Sequence, residues 1–309
     1  MRAGGVRGGI FAVFTPSARV RKRPLARDDG VLEFALAPPV TQAKAAAYAS
    51  SAAGRLFALE RAGHVRVARQ IADLDAAATD DGPPIAVLHL EGAEAIDEGL
   101  ESLETWYSAG LRSLGPVWSR ANVFGHGVPF IFPSSPDTGP GLTNAGRSLV
   151  RRCSDLGILV DLSHLNEAGF WDVARLDVGP LVASHAGAHQ LSGASRNLTD
   201  PQLDAIGASG GLVGIVFACS FLRADFADDA DTPIALIAEH ARYVADRIGV
   251  EHVALGSDFD GTTIPAALGD VAGIPRVLAT LTDAGFTQPE IAAIAWHNWR
   301  RVLAASWSR

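Results

Sequence analysis

The chain has 309 residues, 48% hydrophobic and 19% charged, enough for one large domain or two ordinary ones with a sizeable core. A net charge of −8 argues against a nucleic-acid surface, which needs clustered Lys and Arg to meet phosphates. Its two cysteines, Cys153 and Cys219, exclude a disulfide framework and a Cys-based zinc site, and no run of about 18 apolar residues predicts a membrane span.

The first β-rich run, GIFAVF (9–14), is too short and too soon closed by Thr15-Pro16 for a signal-peptide core, so the chain reads as cytoplasmic. A helical pattern covers 41–62; HVRVA (64–68) is short and polar and is not counted as a principal strand. IAVLHLEG (85–92) follows, then a helix at 96–108, the strand LRSLGPV (111–117) and a Gly/Pro-rich segment at 123–142 with the character of a lid. Next come a helix at 143–156, ILVDLSH (158–164), a helix at 166–175, PLVASH (180–185), a helix at 200–208 and GLVGIVF (211–217). A helix at 234–248, the strand HVALGSDFDG (252–261) and two helices near 275–284 and 288–304 close the chain. Gly157 and Gly249 follow helices where a left-handed cap favours glycine, and Thr199-Asp200-Pro201 reads as an N-cap and first turn.

Strands alternating with helices predict βα units and a parallel sheet. Seven principal strands are one short of a (β/α)8 barrel. GIFAVF begins too close to Met1, the sole methionine, to leave room for a strand before it. The expected fold is α/β: a single TIM-type (β/α)8 barrel domain over 1–309 whose first strand is missing or lies upstream of this start.

In such a barrel, chemistry sits at the C-terminal ends of the strands. Four of the seven strands end in groups suited to a divalent metal: Glu91, His164, His185, and Asp258 with Asp260. Imidazole and carboxylate are usual ligands of catalytic zinc, and a site without thiolates leaves room for water. Each group alone has a plainer explanation: a hydrogen-bonded rim histidine, a glutamate at a helix start, an Asx turn at the aspartates. Together, at the same end of successive strands, they point to a metal site. His89 lies on Glu91's side of its strand, one layer deeper, where it would support the site. His189 is expected to have a supporting role or none, His64, His240 and His252 to be surface or rim residues, and His297 to be structural. Lys22 and Lys44 are misplaced for a Schiff-base aldolase. Ala218-Cys219-Ser220 replaces the glycine-rich turn of a phosphate site.

ILVDLSH, PLVASHAGAH with SRNLTD, GGLVGIVF and HVALGSDFDG resemble, in order and spacing, the membrane (renal) dipeptidase family, peptidase M19. LHLEG resembles its Glu-Gly turn and AWHNWRRVL its closing Gly-Asn-x-x-Arg helix, so the likeness spans nearly the whole chain. The resemblance implies a zinc-dependent dipeptidase working through a metal-activated hydroxide, some members accepting a C-terminal D-residue. It implies that Glu91 bridges two Zn2+ ions, that His164 and His185 complete the second ion's shell, that Arg196 holds the substrate's free carboxylate, and that Asp258 is the acid/base. The partners it implies are a small peptide substrate and, as in many members, a second copy in a homodimer; nothing points to nucleic acid or membrane.

Two departures stand out. The family's opening His-x-Asp pair, which gives the first ion two ligands, does not occur before GIFAVF, so one zinc or fewer and impaired activity are expected. Trp118 stands where members often carry an oxyanion-assisting histidine; His126, in the next loop, is a weaker substitute. Two other readings stay open: a non-catalytic or truncated barrel that only binds peptides, and an amidohydrolase-type barrel acting on cyclic amides.

Overall fold

Every apolar run that reads as a principal strand forms one, and all seven run parallel. The computed structural model describes residues 1–17, 25–79 and 82–308. Its strands are β1 (Gly8–Phe14), β2 (Leu25–Ala26), β3 (Leu32–Phe34), β4 (Arg66–Val67), β5 (Ile85–Glu91), β6 (Leu111–Gly115), β7 (Phe130–Phe132), β8 (Leu159–Val160), β9 (Val182–Ala186), β10 (Leu212–Ile215) and β11 (Val253–Leu255). β1, β5, β6 and β8 pair in that order; an Asp161–Val182 bridge links β8 to β9, and β10 and β11 follow. This is the strand order of a TIM-type barrel. Ile85 to Leu90 are buried without interruption, as expected of a strand covered on both faces.

Helices α1 (Gln42–Arg61), α2 (Ile71–Thr79), α3 (Glu101–Ala109), α4 (Asn144–Leu156), α5 (Glu167–Leu176), α6 (Asp200–Ala208), α7 (Cys219–Leu222), α8 (Ala235–Ile248), α9 (Ile274–Asp283), α10 (Gln288–Ala292) and α11 (Asn298–Trp307) connect them. The predicted helix at 96–108 starts only at Glu101, because the Asp97 carboxylate accepts the Glu101 and Ser102 N–H groups. The predicted helix at 288–304 is interrupted by a π-helical turn, Ala293–His297, between α10 and α11. Thr199 caps α6 as expected, Gln202 Oε1 accepting its N–H at 2.9 Å. Gly157 caps α4 in the left-handed region; Gly249, at φ 100° and ψ 146°, does not, because the chain turns at once into a 3-10 turn over Val250–His252.

Further segments depart from expectation, among them the unanticipated helices α2 and α7. Arg66 and Val67, in the discounted HVRVA run, pair with the start of β5. The 123–142 segment supplies β7, which joins β3 and β2 in a small antiparallel sheet. β7 is fixed to the Arg196 loop, where Ser195 N–H donates to the Ile131 carbonyl and the Ser195 hydroxyl accepts from Ile131 N–H, each at 3.0 Å.

Among the described residues no strand pairing joins β11 to β1. Carbonyls of β11 and of the 3-10 turn before it are instead taken by side chains. Asn298 Nδ2 donates to Val253 O and to Val250 O, each at 2.8 Å, and Trp299 Nε1 donates to Leu255 O at 3.0 Å. Arg301 donates to the carbonyls of Gly210, Gly211 and Glu251. The Asn-x-x-Arg of the last helix thus fastens that helix across the ends of β10 and β11. Cys153 and Cys219 are free and buried, and Lys44 is exposed on α1, while Lys22 lies outside the described residues. Among the described residues no helix is long and apolar enough to cross a membrane.

Candidate metal centre

Glu91, the last residue of β5, meets His164 and His185 at the C-terminal ends of the strands. His164 Nε2 lies 2.9 Å from Glu91 Oε1 and 3.0 Å from His185 Nε2, and His185 Nε2 lies 3.6 Å from the same Glu91 oxygen. Two ring nitrogens and a carboxylate oxygen therefore converge on one point, an arrangement that repels itself unless a proton or a cation sits between them. The set fits a divalent metal: imidazole nitrogen and carboxylate oxygen, with no thiolate. His164 lies beyond β8 in a left-handed turn at φ 69°, so the predicted strand 158–164 keeps only Leu159–Val160 as ladder.

Both imidazoles are held neutral, the form that can offer a lone pair to a metal. Burial, with the Arg196 guanidinium beside it, pushes His164 well below the usual histidine range. Burial, Arg196 and His164 push His185 down to about 3. Each Nδ1 has a serine hydroxyl at 2.8 Å, Ser119 for His164 and Ser184 for His185. Ser184 Oγ in turn donates to Asp161 Oδ2 at 2.5 Å. Burial would raise Asp161, but the neighbouring His89 imidazole and the Ser184 donors hold it down to about 2.

Arg196 is 4% exposed and crosses the floor of the site. Its Nη2 donates to His185 O at 3.0 Å and its Nε faces His164 Nδ1 at 3.3 Å. Burial lowers it to about 10, which leaves it protonated at neutral pH. Its loop is set by Asn197, whose Oδ1 accepts Gly187 N–H and whose Nδ2 donates to Ser192 O and Phe221 O. Asp258 stands in a left-handed turn at φ 56° beyond β11, whose ladder is only Val253–Leu255 rather than the predicted 252–261. It is not one of the three clustered donors, but it faces Glu91 and Arg196 electrostatically: burial and the Glu91 charge push it up to about 7, with Arg196 opposing. Asp260 is exposed.

Of the remaining histidines, His89 lies beneath Glu91, its Nδ1 2.9 Å from Ser113 Oγ and its Nε2 3.6 Å from Asp161 Oδ2. His189 contacts Ser134 O and His126 contacts Gly141 O. His64 and His297 are exposed. His240 and His252 are buried, not on the rim as expected. His240 Nδ1 accepts Ala188 N–H at 2.9 Å and its Nε2 donates to Leu222 O, a bridge built by helix packing that no local pattern announces. Trp118 packs against His164, ring centroids 5.5 Å apart, and against Phe14 and Phe130.

Sequence reasoning passed over two supports. Ser184 and Asp161 carried a signal, since the segments DLSH and ASH both place a serine just before the histidine. Arg120 carried none. Its guanidinium is buried and donates to Glu94, to Ser17 Oγ and to Thr15 O, tying the end of β1 to the turn after Glu91.

The chain matches the family model of the membrane dipeptidases, peptidase family M19, over residues 1–307. It belongs to the M19 family. The M19 chain is similar to two solved structures. One is dipeptidase AC, an M19 metallopeptidase, at 46% identity and TM-score 0.92, covering 100% of this chain and 88% of that one. The other is a metallopeptidase from Rhodobacter sphaeroides, liganded with a phosphinate mimic of the dipeptide L-Ala-D-Ala. It is 44% identical at TM-score 0.93, covering 99% of this chain and 89% of that one. A further relative, an uncharacterized protein in the pqqA 5' region of Klebsiella pneumoniae, is 48% identical over 248 residues, 80% of this chain and 91% of the relative. M19 members are metal-dependent hydrolases acting on dipeptides, which accords with the α/β barrel and its strand-end donors.

Proposed function

We propose that this M19 chain hydrolyses dipeptides at a centre in which Glu91, His164 and His185 hold one zinc ion. The observation that carries the reading is the convergence of two imidazole nitrogens and one carboxylate oxygen within 3.6 Å. Three donors suffice for one ion with an open position, and among the described residues no further His, Cys, Asp or Glu joins the cluster. A bound zinc ion would supply Lewis acidity, polarising a peptide carbonyl and making water a stronger acid.

The chain's own groups do the rest. Arg196, fixed by His185 O and under the electrostatic influence of Asp258, binds the free carboxylate of the substrate, and its planar fork orients the peptide. Asp258, pushed up to about 7, is poised to take a proton at a carboxylate oxygen and return it to the departing amine near neutral pH. The phosphinate mimic of L-Ala-D-Ala in the Rhodobacter sphaeroides relative supports acceptance of a C-terminal D-residue. With one ion rather than two, hydrolysis by residues 1–309 is expected to be severely impaired. The family's dimers favour a homodimer, which sedimentation velocity would detect.

The test is zinc content per chain after loading and desalting, together with L-Ala-D-Ala hydrolysis, for the wild type and for Glu91→Gln. About one zinc in the wild type, with both zinc and turnover lost in the variant, is the expected result. Two zinc ions per chain would overturn the single-ion reading. Turnover that survives with no zinc bound would overturn the metal centre.

A further inference from the structure

The buried polar groups below His185 form a one-way chain of hydrogen bonds. Asp161 Oδ1 accepts the N–H groups of Ser163 at 3.0 Å and Ser184 at 2.8 Å. Asp161 Oδ2 accepts the Ser184 hydroxyl at 2.5 Å. A hydroxyl has one proton, and here the carboxylate takes it. Ser184 Oγ, 2.8 Å from His185 Nδ1, therefore has only a lone pair to offer, and His185 must donate its Nδ1–H. The lone pair of the ring is left on Nε2, the atom that faces Glu91 and His164. His164 has no such relay: its Nδ1 faces both a hydroxyl and the Nε of Arg196, which can only donate.

We propose that Asp161, acting through Ser184, is a positioning residue that fixes His185 in its Nδ1–H tautomer and so presents Nε2 as a preformed metal ligand. The proposal rests on His185 being a metal ligand. Carboxylates that orient a ligating histidine through its far nitrogen commonly raise metal affinity by about 10–100-fold. Here a buried serine transmits the effect. The backbone holds the relay in place, since His185 N–H also donates to Ser163 Oγ at 3.0 Å.

Asp161→Asn separates this role from simple packing. The amide oxygen would keep the Ser163 and Ser184 N–H groups, because the amide NH2 cannot face two donors. The NH2 would then donate to Ser184 Oγ and turn the hydroxyl proton towards His185 Nδ1. The relay would run backwards at nearly constant shape, placing the ring proton on Nε2. Ser184→Ala would cut the relay and leave the tautomer unset.

The experiment is 15N NMR of the metal-free full chain, with His185 assigned by its loss in His185→Gln, alongside zinc affinity by chelator competition. The expected results are an Nδ1–H ring in the wild type, an Nε2–H ring in Asp161→Asn, and zinc affinity at least tenfold weaker in that variant. A smaller loss is expected in Ser184→Ala, which serves alone if Asp161→Asn does not fold. An Nε2–H ring at His185 in the wild type would overturn the proposal. So would zinc affinities within twofold of wild type in the folded variants. A wild type that binds no zinc would overturn the metal centre instead, because the tautomer is read without metal.

Discussion

His164 and Asp258 both hold positive φ angles, 69° and 56°, at the two places where predicted strands run out into turns. Histidine and aspartate tolerate this region better than most residues, at a strain of roughly 1 kcal/mol or more each. Both turns take these side chains off the ladder. The carboxylate-binding role proposed for Arg196 rests on geometry as well as charge, and lysine cannot reproduce a planar fork. Arg196→Lys is expected to raise KM for a dipeptide about tenfold or more, the loss of one charge-assisted bond. The variant should also discriminate less between the dipeptide and its C-terminal amide, and steady-state kinetics on the pair would show it. A second residue sets a pH dependence away from the centre. Burial pushes His240 down to about 4. The unfolded chain, with a histidine near pH 6.5, therefore binds more protons between those values. Stability is full above about pH 6.5 and falls as pH drops to 4, by up to about 3 kcal/mol from this residue. Urea unfolding of His240→Asn should show a shallower decline over that window than the wild type.

At the scale of elements, the barrel depends on close approach between strands and on a helix that closes an edge. A Cβ at Gly214 of β10 would come within 1.9 Å of the Ser184 carbonyl on β9. Gly214→Ala must force these strands apart, and a loss of about 3 kcal/mol in urea unfolding is expected. The outer edge of β11 would be a row of unpaired carbonyls without Asn298 and Trp299. Asn298→Ala removes the side-chain donor from the buried Val253 carbonyl and one of two donors from Val250 O, and is expected to destabilise by about 2 kcal/mol. Differential scanning calorimetry would register it as a lowered Tm. The Asn-x-x-Arg signal of the last helix was legible in the sequence. Its purpose was not, because the carbonyls it meets lie more than 40 residues away. The π-helical turn between α10 and α11 was hidden for the opposite reason: the 3.6-residue pattern runs on smoothly across it.

For the molecule as a whole, a ligand that binds only the folded state stabilises it. Zinc at a hundredfold excess over its Kd is expected to add about 2.7 kcal/mol. The resulting rise in Tm should reverse with EDTA and be absent in Glu91→Gln. The seven principal strands and their parallel sense followed from the sequence, because each is an apolar run between helical patterns. So did the convergence of Glu91, His164 and His185, whose polar side chains interrupt those runs at matching ends. Other features came only from the tertiary structure. The antiparallel sheet that ties Phe130–Phe132 to the Arg196 loop, the buried bridge at His240, and the Arg120 and Asp161–Ser184 supports join residues far apart in the chain. Periodicity reports which face of an element is buried; which polar partner it meets there depends on how distant elements pack.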